Sequence, residues 1–157
     1  MKKTPATRTT EQVDEPAVRD AAEIAARIEA DEAAAARARD EYRIQGLPEL
    51  ETDAAAGLRP DEQLHAMRGT AVVERSSISG ETNGPSVGGL WVTSLRLICA
   101  TAEPMSIALE DVDEMTISMG RLLLVRLADG SSLTIETDQP RLLRVQLAAA
   151  IEARRRG

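Results

Sequence analysis

Between Leu64 and Glu136 the chain alternates apolar and polar residues in short runs, separated by turns of Gly, Pro, Asp and Asn. That two-residue period limits the fold more than any other feature, because it sends one face of each run inward and the other outward. Leu64, Ala66 and Arg68, followed by Ala71, Val72 and Val73, predict a first strand kinked at Gly69. Residues 76–89 read as a loop around Asn83-Gly84-Pro85. Further strands are predicted at 90–93, 95–100, 105–109, 115–119, 122–127 and 133–136, which makes seven. Ala128-Asp129-Gly130-Ser131 predicts a hairpin of type I′, since Asp-Gly tolerates its positive φ angles. The period then changes. Leu143, Leu147, Ala150 and Ile151 share one helix face, with Leu142 beside it. Pro140 suits the first turn of that helix, and Thr137 or Asp138 its cap. The expected fold is α+β: about seven antiparallel strands, curled into a split barrel and capped by a C-terminal helix.

The first third differs. Residues 1–57 carry eight basic and thirteen acidic side chains, against eleven and thirteen in residues 58–157. Residues 1–12 are polar, Thr-rich and aperiodic, and read as a disordered tail. A charged, Ala-rich helix is expected over 13–45, starting near Asp14–Pro16 and stopped by Gly46 and Pro48. Its apolar stripe of Val18, Ala21, Ala22, Ala25 and Ile28, with Ile24, is thin, and from Ala33 to Ala38 it is only alanine. Such a helix is either a solvated spacer or a segment that binds a partner or itself. Residues 46–60 read as a linker, and 61–157 as the folded domain.

Several chemistries lack their residues. One Cys permits no internal disulfide, and one His permits no His-based metal cluster. Cys99 reads as a reduced core thiol. Gly80, Gly84, Gly88 and Gly89 resemble a phosphate loop only superficially, because no Lys follows Lys3. His65 stands in no nucleophile constellation, and Glu110, Asp111, Asp113 and Glu114 lack the EF-hand spacing. The chain is therefore expected to be no enzyme and to use no cofactor or metal. Its net charge of -7 argues against nucleic acid. No apolar stretch follows the basic start, and no run approaches the roughly 20 residues of a transmembrane helix. A cytoplasmic chain is expected, membrane-peripheral at most.

Residues 89–98, Gly-Leu-Trp-Val-Thr-Ser-Leu-Arg-Leu-Ile, resemble the Gly-x-Leu-aromatic-Val-Thr-x-x-Arg-Leu hairpin of GRAM and bacterial pleckstrin-homology (PH)-like domains. Ile107-Ala108-Leu109-Glu110-Asp111-Val112 is similar to the segment that follows it in those families. The resemblance covers about residues 62–155 and implies a split barrel, a binding role and a link to lipid. It departs from the family in aromatics, with Trp91 alone in this domain. It departs also in the 76–89 loop, which holds no Lys or Arg where phosphoinositide-binding members are basic. The expected function is a non-enzymatic module that docks a protein or peptide. The alternative is peripheral contact with anionic lipid. Candidate contacts for either are Arg68, Arg75, Arg96, Arg154, Arg155 and Arg156.

Overall fold

The alternation is realised as burial. Leu90 and Val92, Leu97 and Cys99, Leu123 and Val125, Leu133 and Ile135 are all fully buried, while the residue between each pair (Trp91, Ile98, Leu124 and Thr134) is half-buried on the other face. The computed structural model describes residues 5–53 and 57–157. Its elements are α1 (Pro5–Gln45), β1 (Leu64–Ser76), β2 (Ser86–Thr93), β3 (Arg96–Thr101), β4 (Met105–Ala108), β5 (Val112–Ser118), β6 (Leu122–Leu127), β7 (Ser132–Thr137) and α2 (Pro140–Arg156). The fold is α+β. Seven antiparallel strands form one sheet in the order β4-β3-β2-β1-β7-β6-β5. β4 and β5 are its edges and do not pair with each other, so the sheet is not closed into a barrel. α2 lies over the interior, where Leu143, Leu147, Ala150 and Ile151 join the main core.

Three local readings need correction. β2 begins at Ser86, inside the predicted loop. The Gly88-Gly89 pair that reads as loop is needed within the strand: a Cβ on Gly88 would lie 2.2 Å from the Ala100 carbonyl oxygen of β3. β5 begins at Val112 instead of Met115, directly after a 3-10 turn at Leu109–Asp111. The type I′ turn sits elsewhere. Met119 (φ 54) and Gly120 (φ 73) both have positive φ between β5 and β6. At the Asp129-Gly130 hairpin only Gly130 does (φ 89), and Gly130 N–H donates to Leu127 O. That is a type I turn closed by a glycine bulge, the three-residue loop. The kink expected at Gly69 is found as a register shift between Arg68 and Ala71 of β1.

α1 starts at Pro5, not near Asp14–Pro16, and Pro16 lies inside it. Residues 1–4 of the expected tail, and 54–56 of the expected linker, lie outside the described residues. Gly46 ends the helix with φ 79, its N–H donating to Tyr42 O. His65 is buried, and its Nδ1–H donates to Pro48 O at 2.8 Å, which ties the connector to β1. Trp91 is half-buried on the outer face of the sheet between Met67 and Ile98, outside the core.

Cys99 is fully buried, and burial pushes its thiol up to about 11. The reactive thiolate is therefore scarce at neutral pH as well as inaccessible. A thiol reagent added to the native chain is expected to label Cys99 only at the rate of unfolding, and one equivalent at once in denaturant. Fast stoichiometric labelling of the native chain would contradict this packing.

Candidate functional site

The six arginines singled out in the sequence do not form one site. Arg96 binds Glu62 with both ends of its guanidinium (Nε–Oε2 2.9 Å, Nη2–Oε1 3.0 Å). The Glu62 side chain is fully buried, and also accepts from Thr93 Oγ1 at 2.6 Å and Arg59 N–H at 3.2 Å. Thr93 and Arg96 are the polar residues of the Val-Thr-x-x-Arg-Leu pattern. Their job here is to clasp the β2–β3 turn to the segment entering β1. Arg68 donates to the carbonyls of Met67, Asp138 and Gln139 and to Gln146 Oε1, which fastens the β1 bulge to the start of α2. Burial lowers its pKa, partly offset by Asp31 nearby. Arg75 faces Ser131 and Asp129, Arg154 faces Glu110, and Arg156 faces Glu152.

Two of the six come together. Arg96 and Arg154 line a hollow of about 260 Å³ with Arg59, but Glu110 and Asp111 line it as well. Arg155 lines a neighbouring hollow with Arg154 and Glu110. The acidic corner is likewise matched, with Asp113 and Glu114 both paired to Arg126. Among the described residues no buried side-chain polar atom lacks a partner, and no group of three or more His, Cys, Asp or Glu is placed to hold a metal.

A further cluster of charge lies where α1 meets α2. Asp31 of α1 is buried, and its carboxylate accepts from the backbone N–H groups of Arg141 (2.8 Å) and Leu142 (3.0 Å) in the first turn of α2. Neither Thr137 nor Asp138 caps that helix. Its cap residue is Gln139, at φ 53, with no side-chain hydrogen bond. The orphan donors of α2 are instead satisfied from another helix, and negative charge sits at the positive end of its dipole. The Arg141 side chain lies 3.5 Å from Asp31 and donates to Gly120 O at 3.0 Å. Below this clamp Ala35 and Ala38 are buried against Val145, with Tyr42 and Leu142 alongside. The alanines, thin as a core, let two helix backbones approach closely.

A groove of about 530 Å³ runs along this seam. Tyr42, Val145, Ala148 and Ala149 contribute apolar lining, and Arg39, Arg43, Arg144 and Arg156 bring positive charge against the single carboxylate of Glu152. A second hollow of about 330 Å³ shares Arg39, Arg144 and Val145 and reaches Ile117 on edge strand β5. Arg43 is paired with Asp40, and Arg156 with Glu152. Arg39 and Arg144 have no ion-pair partner among the described residues. Neither stood out in the sequence, since each is one arginine on a mixed-charge helix. Their spacing from the alanine stripe and from Val145 was the only signal available.

No family model matches the chain, and no curated protein matches it. No helix among the described residues is long and apolar enough to cross a membrane.

Proposed function

We propose that the chain is a non-enzymatic, PH-like binding module that docks an acidic protein or peptide segment in the groove between α1 and α2. One observation carries the proposal: two unpaired arginines, Arg39 and Arg144, flank a lining of Tyr42, Val145 and alanines in a chain of net charge -7. A groove lined by small residues between two helices suits a third helix laid against it, its apolar side inward and its acids against the arginines. Anionic lipid is the other reading. It is favoured less, because Arg68, Arg75, Arg96, Arg154 and Arg156 are all engaged within the chain.

Fluorescence anisotropy with a labelled acidic amphipathic peptide tests the proposal. Binding is expected to weaken as salt rises and to fall at least tenfold in the double variant Arg39→Glu, Arg144→Glu. A lysine-substituted peptide is expected not to bind. Equal binding of both peptides, or binding only to anionic vesicles, would overturn it.

A further inference from the structure

The face of α1 that meets α2 does not stop at the edge of the domain. Ile28, Asp31, Ala35, Ala38 and Tyr42 follow one another at steps of three and four, and all five are buried or half-buried. Ile28 is the last of them, against Gly120 in the β5–β6 turn. Continued toward the N-terminus, the same steps give Ile24, Ala21 and Ala17, with Val18 beside them. Nothing covers these. Every residue from 16 to 27 is exposed, Ile24 at 55% and Val18 at 65%. α1 begins at Pro5, so about 34 Å of helix projects past the domain at 1.5 Å per residue.

The overhang is acidic. Residues 5–27 hold five acidic side chains against Arg8, Arg19 and Arg27. It thus has the two properties the seam groove calls for, an apolar stripe at helical spacing and excess negative charge. Its own groove is out of reach, because α1 is one continuous helix from Pro5 to Gln45 and the groove lies at the other end of it. A second copy's groove is not. Pairing of two overhangs with each other would set acid against acid. Seating each overhang in the partner's groove sets acid against Arg39 and Arg144.

We infer that two copies of this chain form a two-fold symmetric dimer, in which the projecting part of α1 in each copy lies in the α1–α2 groove of the other. The inference rests on the groove being a docking site, as proposed above, and names its occupant. The contact is made twice by symmetry, so each substitution removes two contacts. The net charge of each copy opposes approach only within about 8 Å at physiological salt, so the local match governs.

Sedimentation velocity of the full chain, from micromolar to submillimolar concentration, gives the test. The expected result is a concentration-dependent dimer. Two variants are expected to sediment as monomers: Val18→Asp with Ile24→Asp on the overhang, and Arg39→Glu with Arg144→Glu in the groove. All four side chains are exposed, so the variants keep the core, as circular dichroism would confirm. Mixing the two variants restores one of the two contacts, because one supplies an intact groove and the other an intact overhang. A partial return of the dimer is therefore expected. A monomeric wild-type chain at every concentration overturns the inference; if such a chain still binds the acidic peptide, the groove survives as a docking site for another partner. A dimer broken by the overhang variant and untouched by the groove variant also overturns it, and points to overhangs that pair with each other.

Discussion

Replacing Glu62 by Ala is expected to lower the folding free energy by roughly 3–5 kcal/mol, the usual cost of removing one partner from a buried pair. The side chain is fully buried and anchors the Arg96 guanidinium, the Thr93 hydroxyl and the Arg59 N–H together. A domain of this size has only about 5–15 kcal/mol in hand, so the denaturation midpoint falls far. Arg96→Ala is expected to cost at least as much, because it leaves a carboxylate with no exposed surface. The double variant is expected to cost less than the sum, which urea titration of all four proteins would show. A sum that adds without coupling would mean the pair contributes little.

The same pair sets an acid limit. Arg96 hydrogen bonds lower the Glu62 carboxyl most, burial opposes them, and Thr93 and the Arg59 N–H lower it further, to about 2. In the unfolded chain the group has its ordinary value of 4.5. The folded value is the lower one, so the contribution is complete above the unfolded value and is lost as pH falls from there to about 2. It is on the order of 3 kcal/mol. Stability plotted against pH is expected to drop across that window in the wild type and to drop less in Glu62→Ala.

Asp31→Ala carries the second large effect, about 2–4 kcal/mol. The carboxylate makes two charge-assisted bonds to the first turn of α2, and its loss leaves those N–H groups unsatisfied in a buried seam. It also removes one of the groups that hold the Arg141 side chain, leaving Gly120 O and Glu32. The consequence is local as well as global. In hydrogen exchange, amides of residues 31–45 are expected to lose protection, while those of β2, β3, β6 and β7 change only by the shift in global stability. Asp31→Asn is expected to fall between, since an amide oxygen accepts but its NH2 faces donors. Uniform loss across helix and sheet would show that α1 is not held at this point.

The sheet and α2 were legible because each follows a single period. Leu97 and Cys99, or Leu143 and Leu147, announce their faces from spacing alone. The α1–α2 seam was not legible, because alanine gives the same pattern in a solvated helix and in a close helix pair. Only Val145, on the other helix, decides between them. The cap of α2 was missed for a related reason: its acceptor, Asp31, lies 110 residues before Arg141. The Asp129-Gly130 hairpin takes a different turn from the predicted type I′ because strand register and bulges, not the dipeptide alone, choose the turn. Among the candidate site residues the main error concerns Arg96 and Arg154. An arginine on a strand or at a helix end looks free in a sequence, and the carboxylates that occupy Arg96 and Arg154 come from distant positions, Glu62 and Glu110. Among the described residues Arg39 and Arg144 share the lack of such a partner with Arg37, Arg59 and Arg155, and what sets them apart is that they line the α1–α2 groove, a property of the folded chain only.

The most direct measurement is a nitrogen–proton correlation map of the full chain during titration with the acidic amphipathic peptide. The seam groove as the binding surface predicts the largest shifts at Arg39, Tyr42, Arg144, Val145 and Ala148, with the sheet edges unmoved. Shifts centred on β4 and β5, or on Arg155 and the end of α2, would contradict it.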